Sequence, residues 1–164
     1  QRRQIEAYVL AFPTNLAPIV GQQITITPTS SQGEVARADL LRQRADAGDC
    51  DLVAKIWISG AEVGYVYRGD GTFASDRQRQ GPVTAAALRC LAGASGLAIT
   101  FTCVPRGSGI RIGVDRDGDG FWDGDERDAS SDPADATSTP ARAGARPRLL
   151  HRTDGESSNE PVEE

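Results

Sequence analysis

Apolar and polar residues change rhythm several times along the chain, and each rhythm predicts an element. Residues 4–12 (QIEAYVLAF) place Ile5, Tyr8, Val9 and Phe12 on one helical face before Pro13 stops the run. Residues 22–28 (QITITPT) alternate Ile24 and Ile26 with threonine, the period of a strand. Ser31 followed by Glu34 has capping-box spacing, so a helix is expected from Glu34 to Ala47, closed by Gly48. Residues 51–59 (DLVAKIWIS) and 62–68 (EVGYVYR) read as strands joined at Gly60-Ala61, and Gly69-Asp70-Gly71 turns the chain into a short strand over 72–75. A second helix is expected over 83–91 (VTAAALRCL), ended by Gly93, with Val83, Ala87, Cys90 and Leu91 on its inner face. Residues 97–104 (LAITFTCV) and 109–114 (GIRIGV) read as the last two strands. From Ala129 onward Ser, Thr, Pro, Ala and charge follow no period, which predicts a mostly disordered tail.

Strand parity gives the cysteines their first reading. Leu97, Ile99, Phe101 and Cys103 share one face of their strand; Leu52, Ala54, Ile56 and Ile58 share one face of theirs, and Cys50 has the same parity. If these strands are antiparallel neighbours, Cys50 and Cys103 meet inside the fold. Such a disulfide would close a loop of about 50 residues and contribute roughly 3 to 4 kcal/mol. Cys90 is then expected to be a buried thiol. None of the three cysteines forms CxxC or CxxCH, so zinc, iron–sulfur and covalent haem ligation within the chain are poorly supported.

Composition narrows the partners. The 164 residues include 18 Gly and 9 Pro but few aromatics, so the core should be modest and the loops many. The net charge of −5 is unevenly spread: residues 1–114 carry 12 basic and 9 acidic side chains, residues 115–164 carry 6 and 14. A body that ends in an acidic tail is the reverse of a phosphate-binding surface, so nucleic acid is not an expected partner. No apolar stretch approaches the roughly 20 residues a membrane span requires. With no leader pattern and no Met, a processed chain or a piece of a longer one is expected; 17 Arg against the single Lys55 suggest a GC-rich genome.

Residues 115–126 carry the chemistry. They read Asp-Arg-Asp-Gly-Asp-Gly-Phe-Trp-Asp-Gly-Asp-Glu, with acids at loop positions 1, 3, 5, 9 and 12 and Gly at position 6. This fulfils the D-x-D-x-D-G-x5-E pattern of a calcium loop. Asp115, Asp117 and Asp119 would converge on one point, Gly120 would permit the sharp turn, and the Phe121 carbonyl would supply the seventh-position oxygen. Asp123 would bind directly or through water, and Glu126 would close the sphere with two oxygens. The competing reading is a solvated acidic linker, in which the register of Asp, Gly and terminal Glu would be accidental. Calcium suits an all-protein oxygen cage better than magnesium does.

On these residues the loop resembles those of EF-hands, dockerins and thrombospondin type 3 repeats. The strand expected before it, the lone copy and the following 127–133 (RDASSDP) lean toward the type 3 repeats, which implies a structural rather than a sensor site. A second resemblance covers most of the chain. Residues 4–23 (QIEAYVLAFPTNLAPIVGQQ), Cys103-Val104-Pro105 with Gly107-Ser108-Gly109, and 112–119 (IGVDRDGD) are similar to C-terminal regions of secreted bacterial modular proteins, some with c-type cytochrome or propeller domains upstream.

Other features pull less strongly. Arg68-Gly69-Asp70 spells an integrin tripeptide but reads more simply as a hairpin turn. Trp57 has the parity opposite to the core residues of its strand, which marks it as a surface aromatic for sugars or, more simply, a residue that another element or domain covers; Trp122 is expected to pack inward. The single histidine, His151, falls in the tail, which weakens histidine-based catalysis, and no carboxylate pair stands out, so no enzyme is expected.

The expected architecture is α+β: a small, mostly antiparallel sheet packed against two to three helices, followed by a calcium-binding loop and an irregular tail. Residues 1–13 form a helix that could end an upstream domain, 14–114 the α+β domain, 115–135 the calcium-binding loop and extension, and 136–164 a disordered acidic tail. The leading function is a calcium-binding structural or interaction module of an exported bacterial protein, secreted or periplasmic, whose partner is another domain of the parent protein or a cell-surface component. Two alternatives stay open. One is the C-terminal fragment of a secreted c-type cytochrome; the other is a polysaccharide or surface adhesion module.

Overall fold

The computed structural model describes Gln4 and residues 16–140. The helix expected over 4–12 thus lies outside the described residues apart from Gln4, as do His151 and the tail from 141 onward. The fold is α+β. Among the described residues six antiparallel strands form one sheet: β1 (Gln23–Ile26), β2 (Asp51–Ile58), β3 (Ala61–Tyr67), β4 (Thr72–Ser75), β5 (Val83–Thr84) and β6 (Ile99–Val104), in the order β1-β6-β2-β3-β4-β5. Four helices accompany them among the described residues: α1 (Gln32–Asp46), α2 (Ala85–Ser95), α3 (Gly109–Gly113) and α4 (Asp123–Asp128).

The capping box predicted for the first helix forms in full. The Ser31 hydroxyl accepts the Glu34 N–H at 3.3 Å, and the Glu34 carboxylate accepts the Ser31 N–H at 2.6 Å. Helix α1 then buries Ala38 and Leu41 against the sheet, and Gly48 takes the positive φ that lets the chain leave the helix. Strands β2 and β6 are antiparallel neighbours with Leu52 opposite Cys103, which brings Cys50 and Cys103 to a Cα–Cα distance of 5.5 Å and into a disulfide. Leu52, Ala54, Ile56, Ile99, Phe101 and Cys103 all belong to the main core on this face. At Gly69-Asp70-Gly71 both glycines have positive φ, and the Asp70 carboxylate accepts the Thr72 N–H at 2.9 Å, so this segment is a hairpin turn.

Two elements differ from the sequence expectation. Val83 belongs to β5, paired with Phe73, and the Thr84 hydroxyl caps α2 by accepting the Ala87 N–H at 3.1 Å. Starting the helix at Ala85 and carrying it through Gly93 to a left-handed Gly96 rotates the inward face: Leu88 and Ala92 are buried, whereas Ala87, Leu91 and Cys90 are exposed. Cys90 is therefore a free, exposed thiol and not a buried one. Apart from Arg89 the segment is nearly all Ala, Leu and Cys, a short pattern that leaves open the rotation that the Thr84 cap decides.

The second difference matters more. Residues 109–113 form a short helix, not a strand, although the alternation of GIRIGV suits a strand. Strand β6 is already flanked by β1 and β2, which leaves no edge for a hairpin partner. One Asp51 carboxylate oxygen accepts the N–H of both Gly107 (2.8 Å) and Gly109 (2.9 Å) and anchors the start of α3 instead.

The sheet thus has two unlike faces. Helices α1 and α2 cover the main core, while α3 and the segment after it cover a smaller cluster of Val53, Val66, Val104 and Val114, with Ile112, Ala74 and Trp122 packed at its margin. Trp57, on this second face, is 61 % exposed.

Candidate metal centre

Helix α3, residues 114–122 and helix α4 lie over strands β2 and β3, and their approach depends on glycine. A Cβ on Gly64 would stand 1.8 Å from the Gly113 carbonyl oxygen, so backbone meets backbone where α3 ends. Val114 follows, fully buried, and its carbonyl accepts the Asp123 N–H at 2.8 Å, closing the loop between the two short helices.

Inside that loop the aspartates fold the backbone around themselves. Asp115 accepts the N–H of Gly118 (2.8 Å) through Oδ1 and of Gly120 (3.2 Å) through Oδ2. Asp117 Oδ1 accepts the Asp119 N–H at 3.2 Å, and Asp119 Oδ1 accepts the Phe121 N–H at 2.8 Å. Gly118 and Gly120 take positive φ, which permits the curl. The result is a cluster of three carboxylates, Asp115, Asp117 and Asp119, with one oxygen of each within 4.8 Å of the others, a group that could hold a metal ion.

Glu126 arrives from α4. It is fully buried, yet its Oε2 has no hydrogen-bond partner, and the same is true of the buried Asp117 Oδ2 and Asp119 Oδ2. Ser131 meets the other oxygen, Oε1, at 3.5 Å. Burial, above all, and the carboxylates of Asp117, Asp119 and Asp123 push the Glu126 carboxyl from its ordinary 4.5 up to about 7. Burial also raises the Asp117 carboxyl, and the Asp119 and Asp115 carboxylates add to the rise.

Asp123 is nearly inaccessible and engaged elsewhere: its two oxygens accept the Arg116 backbone N–H and the Arg116 Nε–H, each at 2.9 Å. Of the six residues expected from the loop pattern, then, three aspartates form the cluster and Glu126 is buried close enough to feel their charge. Asp123 faces Arg116. The Phe121 side chain is exposed.

No family model, curated protein or solved structure matches the chain.

The chemistry of the donors is therefore what speaks. Carboxylate oxygens without nitrogen or sulfur partners suit a hard cation, and three orphaned buried oxygens are a cost that a bound cation removes.

Sequence reasoning missed the groups that hold this site to the sheet. Asp76, which belongs to no motif, is fully buried; it receives the Gly64 N–H at 3.1 Å and pairs with Arg127. Its neighbour Arg77 forks onto Asp128, Nε at 2.7 Å and Nη2 at 3.0 Å. Gln78 donates its backbone N–H to Asp125 at 2.9 Å and its amide to the Gly120 carbonyl at 3.2 Å. The partners that reach the loop and α4 lie more than 40 residues away in the chain, and no local pattern announces them.

Proposed function

We propose that residues 115–126 bind calcium and that this domain is an ion-stabilised structural or interaction module of an exported bacterial protein. The observation that carries the reading is the trio of buried, unpartnered oxygens on Asp117, Asp119 and Glu126, which an inert acidic linker would turn toward water. Asp115, Asp117, Asp119, the Phe121 carbonyl and Glu126 would be direct ligands. Asp123, with both oxygens on Arg116, would act through a water. The short helices on either side make the site an EF-hand-like turn without the long arms that a sensor swings. The Cys50–Cys103 disulfide supports an oxidising compartment, and no helix among the described residues is long and apolar enough to cross a membrane.

At an affinity of about 0.1 to 1 mM, typical of extracellular modules, a tenfold excess of calcium adds about 1.4 kcal/mol. That stabilisation orders a segment without driving a machine. Titration calorimetry with calcium, beside melting curves in calcium and in chelator, tests the proposal. Wild type is expected to bind one ion and to melt about 4 °C higher in calcium. Asp119→Asn should lose most of that gain and match wild type in chelator. A wild-type protein that takes up no calcium ends this reading.

A second reading has one observation in its favour. Trp57 is 61 % exposed and borders a cleft of about 320 Å³ that Glu62, Arg116 and Arg127 also line. An indole face beside planar polar groups is a platform for a sugar ring, so this side would serve polysaccharide adhesion. Binding of glycans by native protein and its loss in Trp57→Ala would support adhesion. No glycan binding, with Trp57 protected when a further domain of the parent protein is present, would assign the surface to that domain.

A further inference from the structure

Helix α4 has six residues, and four of them are held from one side. The Gly124 N–H donates to the Asp76 carbonyl at 2.9 Å, Asp125 accepts the Gln78 N–H, Arg127 pairs with the Asp76 carboxylate, and Asp128 takes the Arg77 fork. The two left over are Asp123 and Glu126, three apart on the opposite side and turned toward the loop. The segment that does the holding, residues 76–78, directly follows β4 and is itself fixed to β3, where the Asp76 N–H donates to the Gly64 carbonyl at 2.8 Å and the Gly64 N–H returns to Asp76 Oδ2. Contact is close enough that a Cβ on Gly124 would stand 2.6 Å from both the Asp76 carbonyl oxygen and its Oδ1. Gln78 also reaches into the loop to the Gly120 carbonyl, one residue before the carbonyl expected to face the ion.

We infer that Asp76, Arg77 and Gln78 are positioning residues of the cation site: they set where Glu126 stands relative to Asp115, Asp117 and Asp119, and through that distance they set calcium affinity. The inference rests on the calcium reading above and adds to it a part of the chain that the loop motif does not contain. A cage whose first half is local, Asp115 to Asp119, and whose last ligand is carried by a separate helix binds well only if the helix is already in place. An ion that must also gather Glu126 loses part of its binding free energy to that ordering. Outer partners that orient metal ligands typically control 10- to 100-fold in affinity.

Arg77 offers a test in which position and charge predict opposite signs. Its guanidinium is a positive charge near an acidic site, so deleting it should tighten calcium binding if only the field matters. If Arg77 positions α4, deleting it should weaken binding. The experiment is calcium titration of Arg77→Ala and Arg77→Lys at fixed ionic strength, with melting of each in chelator. The expected result is a dissociation constant raised about fivefold or more in Arg77→Ala, incompletely restored by Arg77→Lys, which keeps the charge but cannot fork onto Asp128. An unchanged or lower dissociation constant in Arg77→Ala overturns the inference while leaving the calcium site intact. Absence of calcium binding in wild type overturns the reading beneath both. Should Arg77→Ala melt well below wild type in chelator, Gln78→Ala, which removes only the neutral amide bond to Gly120, decides in its place: weaker binding supports positioning and unchanged binding refutes it.

Discussion

The helix-covered face of the sheet and the loop-covered face bury different chemistry. On the first, Leu41, Leu52, Ile56, Phe73, Leu88, Ile99 and Phe101 pack together with the disulfide in one continuous apolar cluster. On the second, four valines make a small patch with Ile112, Ala74 and Trp122 at its margin, and beside it Asp76 and Asp123 are buried against Arg127 and Arg116, while Glu126 is buried with one oxygen near Ser131 and the other unpartnered. Apolar burial is non-directional and needs no ion. Paired charges out of water gain little net free energy unless each is fully satisfied, and here three oxygens are not. On the calcium reading proposed above, the contrast would give global stability to one face and conditional, ion-linked order to the other.

Four perturbations test that division, in descending size. Phe73→Ala empties the centre of the apolar cluster, where the ring meets Phe101 at 5.9 Å and Tyr67 at 5.1 Å. It should cost about 4 kcal/mol in denaturant unfolding, equally with calcium and with chelator. Replacing both Cys50 and Cys103 by Ser should cost about 3 kcal/mol, again without regard to calcium. A loss from either that shrinks markedly on adding calcium would show that the two faces are not separable.

Titration supplies the third. The Glu126 carboxyl is raised in the fold, so the cation-free protein holds a proton there that the unfolded chain, at 4.5, has released. The associated stability is full below pH 4.5 and is lost as pH rises through about 7. Calcium needs the ionised form and gains where the proton is lost. The melting difference between calcium and chelator should therefore be small at pH 5 and reach about 4 °C near pH 7.5. An equal difference at both values would remove Glu126 from the site. The smallest effect is expected of Trp57→Ala, which should change stability by less than about 0.5 kcal/mol because the indole is mostly in solvent.

Local signals in the sequence were reliable wherever a local interaction decides the structure. Ser31 and Glu34 sit three residues apart and form their box; the alternation around Leu52 and Phe101 is the sheet's own period; Asp115, Asp117 and Asp119 bind backbone within five residues of themselves. What the sequence left open is what neighbours in space decide. GIRIGV has the pattern of a strand and the flexibility of a turn, and only the occupied edges of β6 exclude the strand. Cys90 lies in a short segment of Ala and Leu with the single polar Arg89, too little to fix its face, so its exposure follows from a cap six residues earlier. The candidate site divides the same way. Its acids were legible as a motif, whereas Asp76, Arg77 and Gln78 meet α4 only after the chain has crossed to β6 and back.

The meeting of Gly64 with the Gly113 carbonyl bears on any attempt to move this loop elsewhere. A cassette of residues 109–131 carries its own acids, but it does not carry its landing place. The recipient sheet must offer a bare position at the centre of a strand, where any methyl group would hold the graft away from the surface. Grafts onto hosts with alanine there should sit loosely, and the same peptide over a glycine should dock.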